Sequence, residues 1–320
     1  MSDGTIHLAH RSVAPTSISE NTTALWVDTN GQIRTTQSSG LSSNLGAGLF
    51  AGGRLTLTTG TPVTTSDVTS ATSLYFTPYG PRGNKISLFD GTNWQLHSFS
   101  ELSDTNAGFT SSKPHDIFID WNAGTPQLDK VVWTDGTTRA TALAVQDGRL
   151  CLTGALDWNY LGTVYADASS QFNDSLLKRF VWNYYNRVER QLIVRDATES
   201  WTYDTNTYRQ MRDTAANKVE FVIGISEDLV KAKSMMRAHI QTGEGFSTSI
   251  GMDSVTEIAT YSSATDGYSA TGSIYSSPIA FYSGYPGIGY HYLAPIEKAT
   301  AGTIEFQGAF AQLFEGILNG

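Results

Sequence analysis

Asx-Gly pairs recur along this chain, at Asn30-Gly31, Asp90-Gly91, Asp135-Gly136, Asp147-Gly148 and Asp266-Gly267, each in or beside a run that favours strands. Such pairs accept the positive φ that the centre of a tight hairpin requires. Each is expected to mark a point where the chain folds back on itself. Around Asp90, residues 85–89 lead into the pair and 94–97 lead out; around Asp147, residues 142–146 lead in and 149–152 lead out. Sheets made from local hairpins are antiparallel and lack the βαβ crossovers of many cofactor enzymes. The expected fold is all-β, mainly antiparallel, with hairpin-rich sandwich or barrel domains.

Composition agrees with a folded chain. Of 320 residues, 40% are hydrophobic and 11% aromatic, too apolar for a disordered protein. Only 16% are charged, so much of the surface falls to Ser, Thr, Asn, Gln and Gly. The net charge of −9 comes with no basic domain, and no nucleic-acid partner is expected. Cys151 is the lone cysteine and reads as a small buried hydrophobe, with no disulfide and no activating base beside it. The first residues, Met1-Ser-Asp-Gly-Thr, show neither a basic nor an apolar leader segment, and no stretch reaches 18 apolar residues. Neither a signal peptide nor a membrane span is expected.

Three segments differ in texture. Residues 1–70 are rich in Thr, Ser and Gly and read as an extended N-terminal arm, with one hairpin at 24–34 and a Gly/Ser-rich stretch at 38–53. Residues 71–165 carry short strands separated by turn clusters and form a first β-domain. Residues 166–320 form a second, outward-facing or oligomerising β-domain. Within it, residues 229–240 (LVKAKSMMRAHI) have helical propensity but a period of two. Period outranks propensity, so a strand is expected, paired with 218–225 across a turn at Ser226.

That strand would place Lys231, Lys233, Arg237 and His239 on one face. Such a face is commonly just solvated; in an oligomer it meets acidic neighbours. The tyrosines of the last third, among them Tyr268, Tyr275 and Tyr285, have two readings as well. They are ordinary half-buried strand residues, or they are a stiff contact surface for glycan or protein. These seven residues are the candidate contact surface.

Catalytic motifs are sparse. Phosphate-loop, nucleophile-elbow and zinc-protease signatures do not occur. His7 and His10 lack a carboxylate partner nearby, and His115-Asp116 on a strand would point to opposite faces. Asp28–Gly31 lacks the downstream Glu of a calcium loop. Residues 87–94 loosely resemble an Asp-box turn and read as a hairpin burying Trp94. Glycoside hydrolysis needs two opposed carboxylates, and nothing selects a pair among Asp116, Asp120, Glu199 and Asp204. The chain is expected not to be an enzyme and to need no cofactor or metal.

Taken together, segments 72–80 (TSLYFTPYG), 84–97 (NKISLFDGTNWQLH), 133–143 (WTDGTTRATAL) and 178–188 (KRFVWNYYNRV) resemble a protein family found among tailed bacteriophages. The resemblance covers about 71–240 and implies a virion structural or tail-associated protein, made in the host cytoplasm. It supplies no catalytic residues. A tail fibre or similar appendage is the leading expectation, with the arm docking to other virion proteins and the C-terminal region meeting a host surface glycan or protein. A homo-oligomer is expected, a trimer by analogy with phage appendages. The alternatives are a capsid decoration (cement) protein or head fibre and, less in keeping with the absence of β-helix repeats, a glycan-degrading tailspike.

Overall fold

The computed structural model describes residues 11–15, 23–27, 33–37, 42–44, 51–80, 83–90, 94–122 and 124–320. Strands dominate it; among the described residues the only helical element is a 3₁₀ turn at Met211–Asp213. Among the described residues every ladder is antiparallel except the short pairing of Lys178–Arg179 with Val219–Ile223. The all-β expectation holds.

Three large sheets make the body. The first runs in the order Thr125–Val132, Lys113–Asn122, Ala155–Ala166, Arg149–Leu152, Leu143–Gln146, with Val181–Asn183 also on Ala155–Ala166. The second, eight-stranded, is centred on Gly289–Ala301, flanked by Gly245–Met252 and Val219–Ile223. The third is centred on two long strands, Val230–Ile240 and Ile304–Asn319, with Glu189–Val194 and Ser200–Tyr203 outside the latter and Ile274–Ser276 and Ile279–Gly284 outside the former. Smaller sheets hold Thr23–Val27 with Ile33–Gln37 and Ser42–Asn44, Arg54–Thr56 with Ser73–Thr77 and Leu102–Thr105, and Lys85–Phe89 with Trp94–Ser98.

The second and third sheets form a sandwich. Leu192, Val230, Ala232, Phe314 and Leu318 from the third pack into one apolar cluster with Phe221, Ile250 and Leu293 from the second. Phe118 and Tyr160 of the first sheet enter the same cluster, so residues from both sides of position 165 share a core. The opposite face of the first sheet, through Ile117, Ile119, Leu161 and Val164, packs on Leu55, Leu57, Leu74, Phe76 and Ile86 of the small sheets. Burying apolar side chains on both faces of one sheet is what permits the unbroken buried run from Pro114 to Asp120.

Residues 51–71 belong to this body, although the composition of 1–70 reads as an arm. Leu55 and Leu57 are core residues. Arg54 is buried and donates to the carbonyls of Pro62 at 3.1 Å and Gly320 at 2.8 Å, and also to that of Asn186. Close by, Asp174 is clasped by Arg179 at 2.8 Å and Arg190 at 2.6 Å, and accepts from Thr64 at 3.1 Å. These charge-assisted bonds tie the segment to the second half of the chain.

The turn expectations divide. Asp147 (φ 50°) and Gly148 (φ 84°) both sit in the left-handed region and close the hairpin of Leu143–Gln146 with Arg149–Leu152. Lys85–Phe89 pairs with Trp94–Ser98 as expected, but Trp94 is half-buried and not enclosed; its Nε1 donates to Asp147 at 2.9 Å. Asp135-Gly136 is a turn without a hairpin. Asp135 Oδ1 accepts from the amides of Thr137 and Thr138 at 2.9 and 2.8 Å, and the flanking strands lie at opposite edges of the first sheet. Asp266-Gly267 is no turn at all: it lies inside Thr265–Tyr268, where Gly267 pairs with Phe246 and a Cβ would come within 2.3 Å of that ring. The Asn30-Gly31 turn, Asp28, Gly91, His7, His10 and most of the 38–53 stretch lie outside the described residues.

Candidate contact surface

Val230–Ile240 has the period-two pattern that the sequence dictates. Val230, Ala232, Ser234, Met236, Ala238 and Ile240 are buried, while Lys231, Lys233, Met235, Arg237 and His239 alternate outward. Its neighbours differ from the expected one. The strand pairs with Ile304–Asn319 on one side and with Ile279–Gly284 and Ile274–Ser276 on the other, whereas Val219–Ile223 lies in the facing sheet. The turn after 225 therefore carries the chain from one layer of the sandwich to the other instead of closing a hairpin.

Register then builds the outward face row by row. Ser283, Lys231, Ile317 and Gln191 align across four strands, as do Phe281, Lys233, Glu315 and Ile193. Ile279, Met235 and Leu313 form the next row. Tyr275, His239, Glu305 and Thr202 form a row near the far end. Between them Ile304–Asn319 is interrupted: the register jumps from Gln312 opposite Met236 to Gln307 opposite Arg237, and Ala309 takes a φ of 50°. The extra residues form a bulge held by Gly308 N and Ala309 N on the carbonyls of Glu199 and Asp196.

Six of the seven candidate residues thus meet on or beside one face. Lys231, Lys233, Arg237, His239 and Tyr275 stand on it directly, and Tyr285 closes one end beside Leu229, Lys231 and Ile317. Tyr268 does not join them; it is in the second sheet, opposite Gly245. Cross-strand neighbours occupy most of the positive charge. Lys233 Nζ is 2.7 Å from Glu315, His239 Nδ1 is 3.3 Å from Glu305, and Arg237 lies 4.3 Å over the Tyr275 ring, which also stacks on His239 at 4.6 Å. The face is therefore not the basic one that strand Val230–Ile240 suggests alone, because the neighbouring strand supplies carboxylates.

Beside these charges the face exposes apolar side chains. Phe281 is 57% exposed, Tyr285 57%, Tyr275 55%, Ile317 45%, Ile279 39% and Leu229 37%. Phe281 and Ile317 wall a shallow groove of about 270 Å³ with Lys231, Lys233 and Glu315. A polar hollow of about 370 Å³ beside the bulge is lined by Glu199, Arg237, Glu305 and Gln307. The sequence did not mark Phe281, Ile279 or Ile317. Ile279–Gly284 places Ala280 and Tyr282 inward and Ile279 and Phe281 outward, so both faces are apolar or aromatic and alternation carries no polarity signal.

Other candidate chemistry is dispersed. Among the described residues no group of three or more His, Cys, Asp or Glu is arranged to hold a metal ion. Asp116 is consumed by Arg139 at 2.6 Å and Thr163 at 2.7 Å, and burial pushes its carboxyl up. Asp120 stands about 13 Å along the same strand, at roughly 3.3 Å per residue; burial, with Asp129 and Asp157 nearby, raises it to about 6. Glu199 and Asp204 flank Ser200–Tyr203 in a different sheet. His115 is buried apart from Asp116, accepts from the amide of Thr110 at 3.0 Å and is lowered by burial to about 4. Burial pushes the Cys151 thiol up to about 11, which leaves it unreactive as a thiolate.

No family model matches this chain, and no curated protein matches it. Among solved structures it is similar to the insecticidal delta-endotoxin Cry8Ea1 from Bacillus thuringiensis, at 6% identity over 84% of this chain and 52% of that one, with a TM-score of 0.23. Dimeric latent PorU from Porphyromonas gingivalis is similar at 7% identity over 67% of this chain and 20% of that one, with a TM-score of 0.26. An exo-β-1,3-galactanase from Phanerochaete chrysosporium shares 8% identity over 91% of this chain and 76% of that one, with a TM-score of 0.14. The chain spans about half the length of the endotoxin it matches. Likeness at this level carries no argument about function.

Proposed function

We propose that this chain is a non-catalytic structural component of a tailed-phage particle, a tail fibre or comparable appendage, and that it works by contact through the outward face of its third sheet. The observation that carries the contact role is the stripe of Phe281, Tyr285, Ile317 and Ile279 standing in water on a stiff sheet. Side chains of this kind, on a sheet whose other face is locked into a sandwich, give contact area at little conformational cost. The particle assignment rests on the four segments that resemble phage virion proteins, each of which supplies buried residues of the body: Leu74, Ile86, Trp133 and Trp182 among them.

The test is made on particles. Purified virions from a host carrying the encoding phage are expected to contain the chain, and particles complemented with Phe281→Glu are expected to carry less of it than those complemented with wild type. Absence of the chain from purified virions contradicts the assignment. Copy number per particle, from quantitative gels, separates a tail appendage, at roughly a handful to a few dozen copies, from a head decoration, at roughly tens to hundreds.

A further inference from the structure

We propose that a second copy of this chain covers the outward face of the third sheet. The inference rests on the contact role above and names its occupant.

The first argument is area. Phe281, Tyr285 and Tyr275 are each more than half exposed. At about 200 Å² per aromatic side chain, their rings leave roughly 300 Å² in water. With Leu229, Ile279 and Ile317 the apolar surface exposed along the face, from Tyr285 beside Lys231 to Tyr275 beside His239, is on the order of 500 Å². One side of a standard protein interface buries about 800 Å², of which slightly over half, about 450 Å², is apolar. The face carries what one partner in a stable contact needs.

The second argument is charge. The chain as a whole is at −9, so most of its surface repels another copy. The outward face carries both signs: Lys233 stands in one row with Glu315 and His239 in another with Glu305, while Lys231 and Arg237 stand in rows without an acid. These are the places where two copies approach without the penalty of like charge. Because the face as a whole holds both signs, a copy of it can set its lysines against the other's carboxylates, which is the condition a contact between identical surfaces must meet. A strongly acidic or strongly basic partner would find no such match.

The third argument is shape. The rows run over the two long strands and their neighbours, and the bulge at 308–311 interrupts the ladder between its longer and shorter stretches. Stacking of two such faces is the ordinary way in which sheets bury their side chains.

The test uses the purified full chain. Light scattering coupled to size exclusion, from about 1 to 100 µM, is expected to give a mass at a multiple of 34.7 kDa that falls on dilution. Phe281→Glu and Ile317→Lys are each expected to weaken self-association at least ~30-fold, as loss of an interface anchor does. Tyr268→Glu, on the second sheet, is expected to change nothing. Phe281 and Ile317 face water, so neither substitution buries a charge in the fold; Ser283→Arg, at an exposed position in the Lys231 row, is a further probe of the same face. A wild-type chain that remains a monomer throughout overturns the proposal, as does self-association unaffected by Phe281→Glu, Ile317→Lys and Ser283→Arg. A monomer whose Phe281→Glu variant still fails to enter particles also overturns it and leaves the contact role standing with another virion protein as partner.

Discussion

Glu297 has no exposed surface, yet it is a carboxylate. Both its oxygens accept from Trp201 Nε1 at 3.0 Å, and Oε1 also accepts from Arg209 Nε at 3.0 Å and the Arg212 amide at 3.1 Å. Burial pushes it up to about 7, against the opposing pull of Arg209. A carboxyl raised in the folded state gives stability that is fully present below its unfolded value of 4.5 and is lost as pH rises through about 7. Glu297→Gln removes that dependence. The stability of the variant minus that of wild type is expected to grow with pH across this window by up to roughly 3 kcal/mol. Denaturant titrations at pH 4.5 and 8 check it, and a constant difference contradicts it. His115, lowered to about 4, acts in the opposite direction in both proteins and cancels in the comparison. Nothing in the sequence singles out Glu297, because its desolvation comes from the 3₁₀ turn and a strand far away in the chain. The inward Cys151 was legible, since a lone cysteine in an alternating arm has few other uses.

Elements were legible where their cause is local. The Asp147-Gly148 hairpin needs only two residues with positive φ, and the sequence states both. Gly148→Ala is expected to cost about 1 kcal/mol, because alanine resists the left-handed region; thermal melts should show a lowered midpoint with an unchanged spectrum. The strand character and inward set of Val230–Ile240 were legible from its period. Its partners were not, because pairing with Ile304–Asn319 is decided by burial across the sandwich and not by the turn next to it. Asp266-Gly267 misled for a similar reason: glycine is there so that Phe246 can lie against the backbone, a cross-strand need that looks like a turn in one dimension. The candidate face was half legible. Its basic residues lie on one strand, while its exposed apolar residues Ile279 and Phe281 come from a strand whose two faces are alike.

At the scale of the whole molecule, core and charge disagree with a division by composition. Residues 51–71 look like an arm in their Thr and Gly content but contribute Leu55, Leu57 and the Arg54 clasp to the body. Removing 1–70 is therefore expected to give an unfolded or insoluble chain, and removing 1–50 a folded one, as read by near-ultraviolet circular dichroism. Equal folding of the two truncations contradicts the assignment of 51–71 to the core. The central claim is that the outward face of the third sheet is an interface between copies, and Cys151 makes it directly measurable, since that thiol is buried and inert. Ser283→Cys places one reactive thiol on the face and Tyr268→Cys places one on the second sheet. Labelling by a thiol reagent is expected to slow with rising protein concentration for Ser283→Cys and to stay constant for Tyr268→Cys. Labelling of Ser283→Cys that is fast and independent of concentration contradicts the claim.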